Sequence, residues 1–498
     1  MAKRFYFTPT LLLLSKFFYL ISVNCFTVLI DGLLCQLCVL TSLSFGVTAL
    51  AYGLFRKREK AICCSLVLTL LFLSYRVSYE LLHSLLQGAN ALTLNVIYGV
   101  LVCALLAVII RFSESKVVKG GVGFVTNIIY FLFFISFSSV CLFCLKVKDI
   151  EKPKLKELRE FSESQQLSSH PDIYYIILDG YCRQDVLKES YQYDNTAFLD
   201  QLQNRGFVVS QQATCSYPFS YISLSSTLNM QYIERANQMD NNYYKFIQDN
   251  QVARCLKNCG YTYATVNTGW SGTYKSKIAD IQYDLPYSNG FLSAFLEGSV
   301  LSPWMPNHAD NVKHALESSN EAVTIKSPKF VFSHFLVPHA PYSFRADGTL
   351  RDLPAHLLTK QLYSPIDRTD SGKKAYTEQV QYGNKEMLDL VDRILHTSTT
   401  PPIIIIQSDH GWHTSPQKDF TDPVFCKERY SILNAMLLPE NLRKEVKPDF
   451  TAVNTFRIVL NHLLNKEVPM LPKKAFGYEF TEDHQKLPYY GELSPSLY

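Results

Sequence analysis

The sequence predicts a chain in two parts: an N-terminal multi-span α-helical membrane domain and a C-terminal α/β domain with three layers and a largely parallel sheet. Acidic residues are almost absent from 1–145, which holds several long apolar runs, whereas charged residues concentrate after Lys146. From Pro171 onward, short apolar runs alternate with amphipathic segments, which is typical of a parallel sheet covered by helices. We expect a transmembrane domain of about five helices at 1–145, a juxtamembrane helix and linker at 146–170, and an exported domain at 171–498.

The composition of the 498 residues argues against two other classes of protein. Aromatic residues make up 13% of the chain and charged residues 18%, which is unlike the composition of a disordered chain. Lys and Arg number 48 against 44 Asp and Glu, so the net charge is only +4. Because a nucleic-acid-binding protein needs a strongly basic surface, no nucleic acid is expected among the partners.

Five apolar segments are long enough to cross a bilayer, which takes about 20 residues. They lie at roughly 9–30, 33–55, 62–84, 91–111 and 122–145. A cleaved signal peptide is the alternative for the first segment, and the spans that follow argue against it.

The basic residues of the short loops predict how these spans are oriented. Lys and Arg precede the first span and follow the second and the fourth, whereas the loops after the first and third spans carry none. Since such residues stay in the cytoplasm, we expect a multi-pass protein of the inner (cytoplasmic) membrane. Its N-terminus would be cytoplasmic, and 171–498 would lie on the periplasmic or extracellular side. Five lysines between 146 and 156 run against this prediction.

Two charged residues, Arg76 and Glu80, lie four residues apart inside the third span. Charged side chains within a membrane are candidates for a functional site. The simpler interpretation is an ion pair, one helical turn apart, that helps to hold the helices together.

Three predicted strands of the exported domain lead to residues that can bind a metal ion. The strands and the residues that follow them are 172–178 with Asp179, 329–336 with His339, and 402–407 with Asp409 and His410. Ligands of open α/β sheets bind beyond the carboxyl ends of the strands, so we expect these side chains to lie together. Gly411 is expected to permit the sharp turn that lets both Asp409 and His410 reach one ion. Oxygen and imidazole donors suit Zn²⁺ or Mn²⁺.

A nucleophile is predicted at Ser220, which precedes a predicted helix over 221–230. The backbone N–H groups and the dipole at a helix N-terminus favour an anion. A serine hydroxyl bound to a metal there can lose its proton and attack phosphorus. The alternative is that Ser220 only caps the helix, which is the common role of serine at this position.

These residues together resemble the alkaline phosphatase/sulfatase superfamily, and most of all bacterial membrane-anchored sulfatase-like proteins related to phosphoethanolamine transferases and lipoteichoic acid synthases. The resemblance covers about 170–440. It includes a His-x-Pro-aromatic motif at His339 and, after Ser220, Thr227-Leu-Asn229 at the spacing of these transferases. Glu428 to Asn434 also looks like this branch.

The resemblance implies an alkaline-phosphatase-like fold and a role for each of these residues. The implied ligands of one divalent metal ion are Asp179, Ser220, Asp409 and His410. Ser220 is the implied catalytic nucleophile, and His339 has both a catalytic and a substrate-binding role. The additional ligands of two-metal phosphodiesterases are not recognisable, so one ion is expected.

Two more histidines near these motifs, His334 and His413, are candidates for substrate binding. His334 lies in the middle of a strand, so a packed core histidine is the alternative interpretation. The stretch 265–327, with Trp270, is expected to line the site or pack around it.

The resemblance implies a metal-dependent phosphotransferase. Such an enzyme would move a phospho-substituted head group from a membrane lipid donor to an envelope glycan or lipid acceptor, through an intermediate bound to Ser220. The alternatives are a phosphatase or phosphodiesterase, a sulfuric-ester hydrolase, or a non-enzymatic membrane protein of envelope assembly. Formylglycine sulfatases need Cys or Ser followed by x-Pro-x-Arg, which is absent here, so a true sulfatase is not expected. The transferases usually carry Thr where this chain has Ser220.

Overall fold

The computed structural model describes twelve stretches of the chain. They are 7–24, 33–86, 91–146, 167, 169–233, 243–285, 295–296, 298–301, 306–351, 369–414, 419–478 and 490–498. The chain divides into two compact units, one made of 1–150 with 289–305 and the other of 151–288 with 306–498. The main division thus falls where the composition changes, and one short segment of the later sequence belongs to the first unit.

The described part of the first unit contains five long helices. They are α1 (Thr8–Asn24), α2 (Leu33–Phe55), α3 (Arg58–Leu85), α4 (Ala91–Phe112) and α5 (Lys116–Lys146). Among the described residues, four helices, α2 to α5, are long and apolar enough to cross a membrane, and α1 is apolar but shorter. The five predicted segments correspond to these five helices, and the crossing of α1 stays a prediction.

Two ion pairs connect the loops at one end of this unit. Lys57 Nζ lies 2.6 Å from Glu114 Oε1, and Lys119 Nζ lies 2.6 Å from Glu59 Oε2. Exposed pairs of this kind contribute little stability. They do show that the basic loops after α2 and α4 lie at the same end of the helices, as the predicted orientation requires.

The segment 289–305 joins this unit through an aromatic anchor and backbone hydrogen bonds. Phe295 is fully buried in a cluster with Leu13 and Phe17. The carbonyl of Gly298 accepts a hydrogen bond from the backbone N–H of Arg76 at 3.0 Å. The described residues of this segment thus contact α1 and α3.

The second unit is built around a seven-stranded sheet. Its strands are β1 (Ile173–Leu178), β2 (Val208–Val209), β3 (Thr262–Val266), β4 (Ile281–Tyr283), β5 (Lys329–Phe335), β6 (Ile403–Gln407) and β7 (Asn434–Leu437). Their order is β2-β7-β6-β1-β5-β3-β4. The five strands from β6 to β4 run parallel, and only the pairings of β7 with β6 and with β2 are antiparallel. The prediction of a largely parallel sheet is confirmed.

Helices cover both faces of this sheet. They are α6 (Gln184–Tyr191), α7 (Thr196–Asn204), α8 (Ser220–Leu228), α9 (Tyr243–Gln248), α10 (Gln251–Asn258), α11 (His308–Ala322), α12 (Asp370–Thr397), α13 (Pro423–Tyr430), α14 (Glu440–Arg443) and α15 (Thr455–Leu464). A small antiparallel sheet pairs β8 (Phe476–Tyr478) with β9 (Tyr490–Glu492). Every residue of β1, β5 and β6 is buried, which requires cover on both faces and confirms the three layers.

The register of the central strands brings their carboxyl ends to one edge. Leu178 of β1 pairs with Phe335 of β5, and Ile177 pairs with Gln407 of β6. Residues that follow β1 and β6 therefore leave the sheet side by side.

Candidate active site

The structure brings the four predicted metal ligands together at this edge of the sheet. Asp179 follows β1, while Asp409 and His410 follow β6, and one ligand atom from each lies within 4.8 Å of the others. Ser220 Oγ lies 3.1 Å from His410 Nε2. The three metal-ligand candidates at the strand ends are all buried.

Ser220 is the first residue of α8 and does not cap it. The N-cap residue is Phe219, and no side-chain capping bond is present at this helix end. By contrast, α11 begins with a capping box, in which Asn307 and Asp310 each accept a hydrogen bond from the other's backbone N–H. The hydroxyl of Ser220 is directed to His410 instead, which favours the nucleophile over the cap among the two sequence interpretations.

Backbone hydrogen bonds fix the orientation of the Asp409 carboxylate. Its Oδ1 accepts from the N–H groups of Gly180 at 3.1 Å and His410 at 2.9 Å. Ser408 Oγ accepts from the N–H of Tyr181 at 2.9 Å and donates to the carbonyl of His410 at 2.6 Å. These bonds hold the turn after β6 against the turn after β1 and leave Asp409 Oδ2 for the site.

Two buried carboxylate oxygens make this a suitable metal site. Within the part of the chain that the structure describes, Asp179 Oδ1 and Asp409 Oδ2 have no hydrogen-bond partner. Burying such oxygens without a partner is costly. A divalent cation bound between them would compensate this cost, so the residues present fit a metal ion.

The two carboxyl groups have opposite pKa shifts. Burial and the charge of Asp179 raise the pKa of Asp409 to about 6. Burial also opposes ionisation of Asp179, but His339, His334 and His410 outweigh it and lower the pKa of that carboxyl. The negative charge of one carboxylate thus opposes ionisation of the other.

The imidazole of His410 is held as a neutral ligand. Its Nδ1 lies 3.0 Å from the carbonyl of Gly411, so an N–H at Nδ1 donates there and the lone pair of Nε2 faces the carboxylates. Burial and the nearby guanidinium of Arg429 lower the pKa of His410 well below its ordinary value.

The other three predicted histidines have different surroundings. His334 is fully buried in β5, and its Nε2 lies 3.3 Å from Asp179 Oδ2, so it is a core residue that also adjoins the site. His339 is partly exposed and packs edge-on against Trp412 at 4.6 Å between ring centres. His413 is buried 5.0 Å from the ring of Phe425, and its substrate contact stays a prediction.

Gly411 is needed for a different reason from the one the sequence suggests. A Cβ at this position would lie 2.0 Å from the carbonyl oxygen of Glu428 and 2.8 Å from that of Ser431, and its backbone is outside the left-handed region. Only glycine therefore leaves room for the last turn of α13 and the residue that follows it. Gly180, by contrast, combines a positive φ of +70° with a close approach to Trp412, and both features favour glycine.

Sequence reasoning missed Arg429, a 2% exposed arginine whose Nη2 lies 3.3 Å from His410 Nε2. The only available signal was its place in the segment from Glu428 to Asn434. Trp270 packs beside the site as expected, with its ring 4.7 Å from that of His334, whereas 289–305 of the same stretch belongs to the first unit.

No protein-family model matches the sequence, and no curated protein matches it significantly. Similar solved structures include full-length lipooligosaccharide phosphoethanolamine transferase A from Neisseria meningitidis, an integral membrane protein. It is 13% identical, with a TM-score of 0.43, and the match covers 93% of this chain and 96% of that one.

Two further similar structures match about two thirds of the chain. The C-terminal periplasmic domain of EcEptC from Escherichia coli, in complex with Zn, is 13% identical with a TM-score of 0.43, covering 66% of this chain and 96% of that one. The phosphonate monoester hydrolase of Agrobacterium radiobacter is 14% identical with a TM-score of 0.41, covering 64% and 82%. Because these identities are low, the chemistry of this chain has to be argued from its own residues.

Proposed function

We propose that this protein is a metal-dependent phosphotransferase of the membrane, with Ser220 as its nucleophile. The observation that carries the proposal is the position of Ser220 Oγ, 3.1 Å from His410 Nε2 and at the start of a helix. Beside it are two buried carboxylate oxygens that lack a partner among the described residues.

Asp179, Ser220, Asp409 and His410 would hold one divalent ion, Zn²⁺ or Mn²⁺. Such an ion would lower the pKa of the Ser220 hydroxyl and offset the negative charge of the phosphoryl oxygens. The N-terminal end of α8 adds its own partial positive charge to the same place.

The chain's own residues then supply the steps of the transfer. Ser220 Oγ loses its proton to water and forms a bond to phosphorus, while the bond from phosphorus to the leaving alcohol breaks. His339 Nδ1 lies 2.6 Å from the carbonyl of Ala340, which leaves Nε2 of a protonated His339 to give the alcohol its proton. In the second half-reaction an acceptor hydroxyl gives its proton to the now neutral His339 and attacks the same phosphorus. The bond from phosphorus to Ser220 Oγ breaks, and Ser220 regains its proton from water.

The membrane unit favours a lipid as the donor of the phospho-substituted head group. Four described helices are long and apolar enough to span a bilayer, and the chain tethers the catalytic unit to them. A glycan or lipid hydroxyl of the cell envelope would be the acceptor, on the periplasmic or extracellular side. With water in place of that acceptor, the same residues would catalyse hydrolysis.

Metal content of the purified full-length protein tests the site first. We expect about one equivalent of Zn²⁺ or Mn²⁺, lost in Asp409→Asn and retained in Asp389→Asn, which changes an exposed aspartate of α12. A folded wild-type protein that takes up neither ion after both are added would refute the proposal.

Mass spectrometry then tests the nucleophile. After incubation with phospholipid, a phospho-substituted peptide that includes Ser220 is expected in the wild type and not in Ser220→Ala. Modification of another residue, or equal modification of the variant, would contradict the assignment of Ser220.

A further inference from the structure

Arg429 lies in the last turn of α13, and its guanidinium joins the two segments that form the active site. Nε donates to the carbonyl of Pro218 at 2.7 Å, two residues before Ser220. Nη1 donates to the carbonyl of Gly411 at 2.9 Å, directly after His410. Backbone carbonyls thus hold two of the three nitrogens of this planar group, which fixes the direction of the third.

The surroundings of Arg429 keep this orientation rigid. The backbone N–H of Gly411 donates to the carbonyl of Arg429 at 2.8 Å, so these two residues are paired in both directions. The guanidinium carbon lies 5.6 Å from the ring centre of Phe219 and 5.8 Å from that of Trp412. Aromatic faces at these distances stabilise a buried cation.

The third nitrogen of Arg429 faces the reactive centre. Nη2 lies 3.3 Å from His410 Nε2, the same atom that lies 3.1 Å from Ser220 Oγ. The lone pair of Nε2 serves either the Nη2 N–H or a metal ion, and not both. With a metal ion bound, this N–H needs another acceptor, and a phosphoryl oxygen beside Ser220 is a suitable one.

We propose that Arg429 is a catalytic residue that binds an oxygen of the phosphoryl group while the group is transferred to and from Ser220. This inference rests on the proposed function. A phosphoryl group brings negative charge next to the carboxylates of Asp179 and Asp409, and Arg429 supplies a permanent positive charge there. Hydrogen bonds from arginine to such oxygens are short, charge-assisted and strong.

The rival explanation is that Arg429 only clasps the segments at Pro218 and Gly411. Binding of inorganic phosphate to the zinc-loaded, full-length protein separates the two roles, since a clasp makes no contact with phosphate. Arg457 is a matched control, because it is also 2% exposed and donates to backbone carbonyls, those of Met230 and Pro469.

The variants Arg429→Met and Arg429→Gln are compared by calorimetry with the wild type and with Arg457→Met. We expect phosphate affinity to fall about 10- to 100-fold in both Arg429 variants and to stay unchanged in Arg457→Met. Zinc affinity, measured against a chelator, should be no weaker in the Arg429 variants, because the competitor for His410 Nε2 is removed.

The possible results separate a failure of the inference on Arg429 from a failure of the proposed function. Unchanged phosphate affinity in either folded, zinc-loaded Arg429 variant overturns the inference. Arg429→Gln keeps groups that can bond to the two carbonyls, so it provides the test if Arg429→Met does not fold. A wild-type protein without zinc-dependent phosphate binding would refute the proposed function itself, before any variant is compared.

Discussion

Gly411 is closely packed beside the active site. A Cβ there would overlap the carbonyl oxygens of Glu428 and Ser431, which are backbone atoms and cannot rotate away. Gly411→Ala is expected to lower the free energy of unfolding by about 1–3 kcal/mol and to weaken metal binding, since His410 is its neighbour. Chemical denaturation and metal titration check this, with Gly491→Ala as the control because nothing lies within 4 Å of its added Cβ. Equal stability of the two variants would contradict it.

His308 is a buried histidine whose ionisation should make stability depend on pH. Burial lowers its pKa to about 4, and its ring nitrogens lie 2.7 Å from the carbonyl of Leu336 and 3.0 Å from Ser343 Oγ. The unfolded chain binds a proton near pH 6.5 and the folded one does not, so stability is lost as pH falls from about 6.5 to 4.

The lowered pKa of His308 corresponds to about 3 kcal/mol of stability lost by pH 4. His308→Gln should remove this part of the pH dependence while lowering stability at pH 7. Denaturant unfolding of metal-free protein between pH 7 and 4.5 measures both curves. Curves that stay parallel over this range would show that His308 does not carry the effect.

Among the helices of the first unit, α3 carries a charged pair that behaves as a structural element. Arg76 Nε lies 3.0 Å from Glu80 Oε1, one turn further along α3, which supports the simpler of the two sequence interpretations. Removing one partner takes this ion pair from the remaining charge inside an apolar helix, which is costly.

We therefore expect Glu80→Leu to lower the stability of the detergent-solubilised protein by about 1–2 kcal/mol. The double variant, with both Arg76→Leu and Glu80→Leu, should recover most of this loss. Unfolding in denaturing detergent measures it. The exposed pair of Lys57 and Glu114 serves as control, and its removal should have no measurable effect. A double variant that is less stable than Glu80→Leu would show that the two side chains have a role besides their ion pair.

The burial of each strand explains whether the sequence could predict it. The strand expected over 172–178 is β1 at Ile173–Leu178, and that over 402–407 is β6 at Ile403–Gln407, because strands buried on both faces are continuous apolar runs. The edge strand β4 has only three half-buried residues, too few for such a pattern. The place of β7 between β6 and β2 depends on long-range pairing that no local pattern encodes.

The active site was predictable to the extent that it follows strand ends. Asp179 and Asp409 leave the sheet directly after apolar runs, so their meeting follows from a parallel sheet. Arg429 lies on a helix, and its side chain is held at the site by hydrogen bonds to carbonyl groups as distant in the chain as that of Pro218. Only the folded structure brings these together, and the reason for Gly411 likewise lies in a carbonyl 17 positions further along the chain.

At the scale of the whole molecule, the side of the membrane on which 171–498 lies depends on two loops. Ion pairs join the basic loops after α2 and α4 at one end of the first unit, and Lys and Arg favour the cytoplasm for both. If α2 to α5 each cross the membrane, the chain after α5 emerges on the opposite side. This conclusion holds whether or not α1 crosses, because α1 determines only the side of the N-terminus.

Reporter fusions test this orientation directly. A reporter enzyme that is active only outside the cytoplasm should be active when fused after Tyr498 and inactive when fused after Ser113, in the loop between α4 and α5. A fluorescent reporter that matures only in the cytoplasm should give the opposite result at both positions. Activity of the exported reporter at Ser113, or its absence after Tyr498, would place Ser220 in the cytoplasm. That outcome would remove the access to envelope acceptors on which the proposed transfer depends.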